Sequence, residues 1–419
     1  MKARCVRALL CAWLASGLSA ERGQAEVLRV GTSGDYAPFS VKLDEGPPDF
    51  EGFDIAVARA YAKARGLEIE FVRFRWPELN RGLLTNRFDL AMSGVTVRPE
   101  RSAIGRFTIA TVQTGAVVIA QPKDRFLEVD DLNYQSVRIG VNLGGHLEHV
   151  AYANFPAATL IAIPDNAMVL SALMDGSIDA AVTDDLEAPG WMLGGKDLAL
   201  FGPFTTDRKA YLVRADREQL ATNLSSWLLE READGTLARL REQYFDIPNS
   251  PKLASPLRAL LAAIDERLSL MPLVGIAKRR ASLPLVMPTR ETLVLDAAVE
   301  SVLAAAERQG VTPPPQDAVR KLFSAQVEAG KEVQRAALSD PAFASLETVP
   351  NLRTELRPAL LRIGERIAQL LVALPANLDR ATIIEAARRE IRSAQLSDVS
   401  MLAIADAISE FSTQPIPEG

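Results

Sequence analysis

The chain changes character once, near residues 246–258, and this change limits its fold more than any other feature. Before it, short runs of β-branched residues alternate with helical patterns; after it, apolar residues recur every three to four positions. The segment at the change, DIPNSPKLASPLR, is rich in proline and serine, which is typical of a linker. A chain of 419 residues is also too long for one ordinary domain. We therefore expect two units of different fold class.

The first unit has the pattern of an α/β fold. Its alternation of strand-type and helix-type segments predicts a largely parallel arrangement of strands. We expect this domain to span residues 26–247 and a linker to occupy residues 248–256. The predicted strands lie at residues 27–30, 68–74, 89–92, 117–120, 137–141 and 180–183.

The second unit, residues 257–416, has the pattern of an all-α domain. All 4 Trp and all 6 Tyr precede it, only 5 of the 25 Gly remain, and Ala, Leu, Arg and Glu dominate. Its apolar residues follow the helical period throughout. The predicted helices lie at residues 257–280, 290–309, 316–337, 351–373, 380–394 and 396–411.

Residues 1–25 have the features of a secretory signal peptide. Lys2, Arg4 and Arg7 form a basic start, an apolar run too short to span a bilayer follows, and small residues suit cleavage after Ala25. A buried N-terminal helix is the alternative, but the basic-then-apolar order argues against it. We expect export to the periplasm, with no membrane association after cleavage.

Composition excludes several classes of function. The signal segment carries four basic residues and one Glu, so its removal takes the net charge from −6 to −9, which argues against nucleic acid or anionic lipid as a partner. Cys5 and Cys11 leave with the signal, which excludes a disulfide scaffold and a thiolate metal site. His146 and His149 are spaced like two zinc ligands, but no third ligand is near them in sequence. We therefore expect no metal and no cofactor.

Polar segments follow several predicted strands of the first unit. GTSGDYAPF at residues 31–39, MSGVT at residues 92–96 and NLGG at residues 142–145 combine glycine with small hydroxyl or amide residues. Backbone N–H groups at such strand ends suit a carboxylate. Arg101 would add a charge-assisted pair, although its position alone fits a solvated surface arginine equally well. These segments predict a crevice that binds an anion.

The order of these segments resembles a known fold. Together with Glu51-Gly52-Phe53-Asp54, they are similar to the polar amino-acid-binding proteins of bacterial transporters over residues 27–247, which implies two α/β lobes joined by crossing strands around a cleft. The strings GDYAPFS, RWPEL, RFDLAMSG, NLGG, PDN, TDDLEA and KAYLV more specifically resemble the periplasmic cyclohexadienyl dehydratases. That family uses the binding-protein fold to convert prephenate to phenylpyruvate and arogenate to phenylalanine.

The resemblance to the dehydratases implies a catalytic residue and a binding set. The family's decisive glutamate falls on Glu187, whose carboxylic acid would protonate the departing ring hydroxyl if a closed cleft kept it protonated. Asp184 falls where amino-acid receptors bind an ammonium group. His146 replaces a common hydroxyl residue, so the choice between prephenate and arogenate stays open. The implied substrate-binding residues are Tyr36, Trp76, Ser93, Thr96, Arg101, Asn142, Gly145, His146, Asp184 and Lys209.

Several of these residues also have a structural alternative. Glu187 fits a surface carboxylate at a helix start, Tyr36 and Trp76 fit core packing, and Lys209 fits a position at the border of the hinge. The location of Glu187 discriminates between the readings. A side chain that faces bulk water, away from the gap between the lobes, would exclude the dehydratase interpretation.

Basic residues of the second unit point to an anionic ligand. Arg267 and Lys278 are 11 residues apart, about three helical turns, so both fall on one face, although Pro272 makes the alignment approximate. Arg290 follows where the next helix should begin. Taken alone, these residues are more simply explained as ordinary solvated side chains among the 20 basic residues of this half.

A second resemblance changes that balance. The string E-R-L-x-L-M-P-x-V-x-x-x-K, followed by Leu-Pro and R-E-x-x-x-L, resembles the secreted all-helical chorismate mutases over residues 257–416. That family rearranges chorismate to prephenate without nucleophile, base or cofactor. Some members have a disulfide that this chain lacks, and the alignment needs a single-residue gap before its last arginine. The residues implied around the substrate are Arg267, Lys278, Arg290, Gln334 and Arg357, with Lys278, Gln334 and Arg290 in catalytic roles.

The two resemblances support one another because the product of the second half is the substrate of the first. We therefore expect a bifunctional exported enzyme that takes chorismate through prephenate to phenylpyruvate, with prephenate diffusing between the sites. One alternative is a periplasmic receptor for an amino acid or aromatic acid, in which the first half has no chemistry. Another is a helical half that only mediates dimerisation. Helical mutases commonly pair, so a homodimer also stays open.

Overall fold

The computed structural model describes residues 26–43, 49–122, 125–193, 197–247, 252–344, 346, 348–393 and 395–412. The predicted signal segment, residues 1–25, lies outside the described residues, as does part of the predicted linker. Within the described part, all strands lie before residue 215 and all regular elements from residue 256 onward are helical. The predicted fold class, α/β followed by all-α, is confirmed.

The strands of the first half are short, and most of them are buried. All six predicted strands are present, and the structure adds nine more, of two to five residues each. In chain order they are β1 (Val27–Thr32), β2 (Asp35–Tyr36), β3 (Ser40–Lys42), β4 (Phe50–Glu51), β5 (Glu68–Arg73), β6 (Leu90–Ala91), β7 (Gly105–Phe107), β8 (Val112–Thr114), β9 (Ala116–Ala120), β10 (Arg138–Asn142), β11 (Thr159–Ile163), β12 (Ala180–Asp184), β13 (Ala199–Phe201), β14 (Asp207–Lys209) and β15 (Leu212–Arg214).

Ten of these strands form two five-stranded sheets, one in each lobe; β2, β3 and β4 form a small three-stranded sheet, and β8 pairs with β14. The first has the order β5-β1-β6-β15-β7 and the second the order β11-β10-β12-β9-β13. β1 is parallel to β5 and β6, and β10 is parallel to β11 and β12, as predicted. β15 and β9 instead run antiparallel to both neighbours. The reason is that the chain crosses between lobes through the antiparallel pair β8 and β14, and so enters each sheet from the opposite side.

Helices cover both lobes and form the whole second half. Those of the first half are α1 (Phe53–Arg65), α2 (Leu79–Leu84), α3 (Pro99–Ile104), α4 (His146–Asn154), α5 (Asn166–Met174), α6 (Ala188–Met192), α7 (Glu218–Ala233) and α8 (Thr236–Phe245). Those of the second half are α9 (Pro256–Ser269), α10 (Met271–Arg280), α11 (Pro288–Gln309), α12 (Gln316–Ser339), α13 (Pro341–Ala344), α14 (Arg357–Val372), α15 (Arg380–Glu390) and α16 (Asp398–Ser412). In the described part of the chain, none of them has the length and apolarity needed to cross a bilayer.

Two of the predicted helices are divided in the structure. The predicted helix 257–280 is two helices, α9 and α10, because Pro272 has no N–H to donate to the carbonyl of Leu268. The predicted helix 351–373 begins with a wide π turn, Leu352–Leu356, that leads directly into α14. In both cases the predicted residues are helical, but the structure interrupts the helix that the sequence predicted as continuous.

One hydrophobic core runs through the first lobe and the helical half together. It includes Leu28 and Val30 of β1 as well as Leu260 of α9 and Ile363 of α14. The second lobe has separate clusters on the two faces of its sheet. α9 and α14 pack directly on α3 and β7, so the helical half is docked on the first lobe.

Candidate functional sites

The cleft between the lobes is built from the carboxyl ends of parallel strands. Thr96 follows β6 in the first lobe, while Asn142 ends β10 and Asn166 begins the helix after β11 in the second. Close approach of the backbone is needed here: Gly94 has φ +63°, and a Cβ atom at that position would lie 2.6 Å from the ring of Tyr36. The strand ends therefore place small and polar groups on both walls of one crevice.

The two lobes touch across this crevice. Asn166 donates its backbone N–H to Asp35 Oδ2 (3.1 Å) and its side-chain N–H to the Asp35 carbonyl (3.2 Å). The Tyr36 hydroxyl donates to Asp184 Oδ2. Gly144, with φ +74°, packs so closely on Pro77 that a Cβ atom there would lie 2.8 Å from the proline nitrogen. The cleft is therefore closed and poorly accessible to water.

Eight of the ten predicted binding residues line the remaining cavity; Ser93 and Asp184 do not, and neither does the predicted catalytic residue, Glu187. Ser93 is fully buried behind the cavity, where its Oγ lies 2.8 Å from Ser33 Oγ and accepts the Ser33 N–H. Asp184 and Glu187 lie one layer deeper, in contact with cavity residues. The residues that line the cavity are Tyr36, Trp76, Gly94, Thr96, Arg101, Asn142, Gly145, His146, Leu147, Asn166 and Lys209.

Lys209 occupies the centre of a buried polar cluster. Its Nζ lies 3.1 Å from the Tyr36 hydroxyl, 3.0 Å from Thr96 Oγ1 and 3.5 Å from Asp184 Oδ2. The second oxygen of Asp184 accepts two backbone N–H groups, those of Leu186 and Glu187. Lys209 thus neutralises the carboxylate that a receptor would offer to a ligand ammonium group. Lys209 lines the cleft and also ends β14, one of the two strands that cross between the lobes.

Glu187 is a buried carboxyl group held only by neutral donors. It is 5% exposed, its Oε1 accepts from the Asn166 amide (2.8 Å) and its Oε2 accepts from the Thr183 hydroxyl (2.6 Å). Burial, and after it the negative charge of Asp184, raises the pKa of Glu187 well above its usual value, against the lowering effect of these two hydrogen bonds. The surface alternative for Glu187 is therefore wrong. The raised pKa favours the protonated form of this carboxyl group.

Arg101 is a buried cation that faces the cavity. It is 4% exposed, donates to the Thr96 carbonyl (3.0 Å), and its guanidinium carbon lies 5.8 Å from the centre of the Trp76 ring. Among the described residues no carboxylate forms an ion pair with it, and burial lowers the pKa of Arg101 to about 9. A buried, unpaired guanidinium is suited to bind a carboxylate ligand. The surface alternative for Arg101 is wrong.

His146 pairs with a carboxylate. Its Nε2 lies 3.0 Å from Asp207 Oδ1, and 16% of the side chain is exposed. Burial lowers the pKa of His146, against the raising effect of Asp207. His149 lies at the surface. In the described residues, no three His, Asp or Glu side chains are grouped as metal ligands.

A second and larger pocket lies inside the helical half, between α9, α10, α11, α12 and α14. Its empty space, counted out to the mouth, is about 1010 Å³. All five residues predicted for this half line it together, although they come from five different elements. They are Arg267, Lys278, Arg290, Gln334 and Arg357. The reading as a solvated side chain is therefore wrong for Arg267, which is buried; Lys278, Arg290 and Arg357 are half-buried in the same lining.

The positive charges of this pocket are only partly neutralised. Arg267 is 7% exposed, and its Nη1 has no hydrogen-bond partner among the described residues; burial lowers its pKa to about 10. Lys278 donates to the Leu285 carbonyl (2.8 Å), and burial lowers its pKa too. For Arg357, burial and then the neighbouring charge of Arg290 lower the pKa. Such a pocket can bind an anion that carries more than one negative charge.

Lys331, Glu291 and Gln326 also line this pocket, and none of them was predicted as a site residue. Lys331 pairs with Glu291 (2.8 Å), the carboxylate in the lining, and with Glu328 (2.8 Å). Gln326 is fully buried, and neither atom of its carboxamide has a partner among the described residues. Helical periodicity could have identified Gln326 from the sequence. Gln326, Gly330 and Gln334 are spaced four residues apart, so they fall on one face of α12.

Comparison with known proteins covers the first half. The family model of bacterial extracellular solute-binding proteins, family 3, matches residues 28–247. Cyclohexadienyl dehydratase of Pseudomonas aeruginosa is 33% identical over 254 residues, which cover 58% of this chain and 94% of that protein. ABC transporter arginine-binding protein 1 of Escherichia coli is 28% identical over 247 residues, 57% of this chain and 99% of that protein. The crystal structure of the ancestral amino acid-binding protein AncCDT-1, a precursor of cyclohexadienyl dehydratase, is 32% identical with a TM-score of 0.49 and covers 52% of this chain and 95% of that one.

Proposed function

The chain belongs to the bacterial extracellular solute-binding proteins, family 3, and from this premise we propose that it is an exported bifunctional enzyme of phenylalanine synthesis. In the helical pocket chorismate rearranges to prephenate. In the cleft prephenate loses water and carbon dioxide to give phenylpyruvate, with arogenate as an alternative substrate that would give phenylalanine. The homology to cyclohexadienyl dehydratase supports the second step, and the signal-type segment at residues 1–25 supports action in the periplasm.

The observation that carries the dehydratase proposal is the burial of Glu187 among neutral hydrogen-bond donors, beside the negative charge of Asp184. The leaving group of prephenate is a ring hydroxyl, which departs only after it receives a proton. Glu187 supplies this proton. The bond between ring carbon and oxygen then breaks, the bond to the ring carboxylate breaks and its electron pair completes the aromatic ring, and carbon dioxide leaves. A carboxyl group paired with a cation would be ionised at neutral pH and unable to do this.

Closure of the lobes supports the same role. Asn166 donates to Glu187 and is itself bound to Asp35 of the opposite lobe. Opening of the cleft would separate Asn166 from Asp35 and admit water beside Glu187, which would lower its pKa. Arg101 anchors a carboxylate of the substrate. The acid is therefore available mainly when the lobes have closed on a ligand.

The cationic lining of the helical pocket supports the mutase proposal. Chorismate carries two carboxylates and rearranges inside one molecule, so the catalyst must hold a compact conformer and stabilise negative charge on the ether oxygen. Arg267, Arg290 and Arg357 bind the carboxylates. Lys278 donates to the ether oxygen, and Gln334 does so when its Nε2 turns from the Gly330 carbonyl to the ligand. A millionfold acceleration requires about 8 kcal/mol, which several charge-assisted contacts in a poorly hydrated pocket can supply.

The test is a time course with the mature protein and chorismate. We expect prephenate to appear first and phenylpyruvate to follow. Prephenate that accumulates without phenylpyruvate would contradict the dehydratase and favour a receptor in the first half. Chorismate that remains unchanged, while added prephenate is converted, would contradict the mutase and favour a helical half that serves only for assembly.

A further inference from the structure

Gln326 of α12 is the most unusual polar residue of the helical half. Its side chain is fully buried, lies among pocket-lining residues such as Phe323 and Val327, and has no hydrogen-bond partner for Oε1 or for Nε2 among the described residues. A buried carboxamide without partners lowers the stability of a fold, and an apolar residue of similar size would avoid this cost. The described residues of the folded chain therefore leave the hydrogen-bonding groups of the Gln326 carboxamide unsatisfied.

Other unpaired atoms face the same space. Arg267 Nη1 and Gln334 Oε1 also lack partners among the described residues, and both residues line the pocket. Gln334 is held by its own helix, since its Nε2 donates to the Gly330 carbonyl at 3.0 Å. The pocket thus presents unpaired donors and unpaired acceptors side by side. A ligand that only accepts hydrogen bonds, such as a simple dicarboxylate, would leave the acceptors unpaired.

We propose that Gln326 is a substrate-binding residue that selects a ligand with a hydroxyl group on its ring. This inference rests on the proposed mutase function of the pocket. At neutral pH the carboxylates and the ether oxygen of chorismate are acceptors, and its ring hydroxyl is its only hydrogen-bond donor. Whichever way the carboxamide is oriented, its oxygen needs a donor, and the ring hydroxyl provides one. Its N–H groups then bind the hydroxyl oxygen or the nearest carboxylate.

The test compares the full mature protein with Gln326→Met, which keeps the length of the side chain and removes its polar atoms. Gln316→Met, at the exposed start of the same helix, is the matched control. The substrates are chorismate and a deoxychorismate that lacks the ring hydroxyl. We expect Gln326→Met to lower kcat/KM for chorismate by about tenfold or more, with most of the change in KM, and to change the deoxy analogue by less than about twofold.

Thermal unfolding separates this role from a structural one. Because Gln326→Met removes an unpaired buried group, we expect a midpoint equal to or above that of the wild type. A structural hydrogen bond would instead give a lower midpoint. Gln326→Leu serves as the second variant if methionine does not fit the space. Dehydration of prephenate in the same preparations should be unchanged, which reports that the rest of the protein is intact.

Two outcomes would overturn the inference. If the wild type converts chorismate but Gln326→Met affects both substrates equally, or neither, Gln326 does not read the hydroxyl group, and the mutase proposal stands without it. If the wild type leaves chorismate unchanged, the mutase proposal fails and the inference fails with it.

Discussion

The Ser102 hydroxyl donates to Glu266 Oε1 at 2.9 Å, and this bond joins the two halves of the chain one residue away from each candidate site. Arg101 of the cleft precedes Ser102, and Arg267 of the helical pocket follows Glu266. The other oxygen of Glu266 accepts from Arg366, which also donates to the Phe107 carbonyl at 2.6 Å. The halves are therefore joined by a buried charge network as well as by a shared core.

We predict from this network that the halves unfold together. Arg366→Ala should destabilise the whole protein by about 3 kcal/mol, because it leaves the Glu266 carboxylate buried without a cation. All tryptophans of the mature chain lie in the first half, so their fluorescence reports on that half alone. We expect the midpoint of fluorescence to coincide with the midpoint of helical circular dichroism, and both to fall in the variant. Arg389→Ala, an exposed residue of α15, should change neither; two separate transitions would contradict the prediction.

Separate substitutions should separate the two activities. Glu187→Gln removes the proton donor of the cleft and should lower the rate of prephenate dehydration by about 100-fold to 10,000-fold. Arg290→Ala removes a carboxylate partner in the helical pocket and should lower kcat/KM for chorismate by about 100-fold or more. Each variant should leave the other activity within about twofold of the wild type, since the sites share no residue.

The controls for these variants come from the same elements. Asp185→Asn changes an exposed carboxylate two positions before Glu187, and Arg308→Ala changes an exposed arginine at the end of α11, the helix of Arg290. Both should retain both activities. If Glu187→Gln and Arg290→Ala impaired both reactions equally, the assignment of two independent sites would be refuted.

The raised pKa of Glu187 predicts a pH dependence of stability with a definite sign. In the unfolded chain this residue ionises above its ordinary pKa of 4.5, whereas in the fold burial keeps it protonated. The folded state therefore binds the extra proton, and the free energy of unfolding falls as pH rises above 4.5 until the folded pKa is passed. Asp54, whose pKa burial raises to about 7, contributes with the same sign.

A comparison of the wild type with Glu187→Gln isolates the contribution of Glu187 to the pH dependence of the free energy of unfolding, because both proteins contain Asp54. We expect urea unfolding to show the variant gaining stability relative to the wild type as pH rises above 4.5, and prephenate dehydration by the wild type to decline once pH passes the folded pKa of Glu187. A stability difference that is constant over this range would mean that Glu187 is ionised in the fold.

The sequence motifs predicted which residues lie in the two candidate sites better than they predicted how the two halves pack together. Arg101, Glu187 and Lys209 could be found because the motifs around them resemble those of the cyclohexadienyl dehydratases. Helical spacing and the resemblance to the secreted chorismate mutases together identified the cationic residues of the helical pocket. Ser93 is the exception in the cleft, since a hydroxyl group in such a loop serves a neighbouring loop, here Ser33, as readily as a ligand.

The docking of the halves was not predictable from the same patterns. Arg362 and Arg366 are two of 20 basic residues in the helical half, and nothing local marks them as interface residues. Arg362 donates to the carbonyls of Ser102 and Ala103, which become available only where α3 ends against α14. Periodicity indicates which face of a helix is buried, but the partner of that face depends on tertiary structure.

Arg267 allows a prediction in which function and stability change in opposite directions. Its guanidinium is buried, its Nη1 is unpaired among the described residues, and burial lowers its pKa to about 10, so the empty pocket holds it at a cost. Arg267→Met should raise the free energy of unfolding by about 1 kcal/mol, because it replaces a buried charge by an apolar chain of similar length. The same variant should lower kcat/KM for chorismate by about 100-fold or more, since a carboxylate loses its partner. Arg335→Met, exposed on α12, is the matched control and should change neither quantity. A variant that lost stability and activity together would show that Arg267 supports the fold and not the ligand.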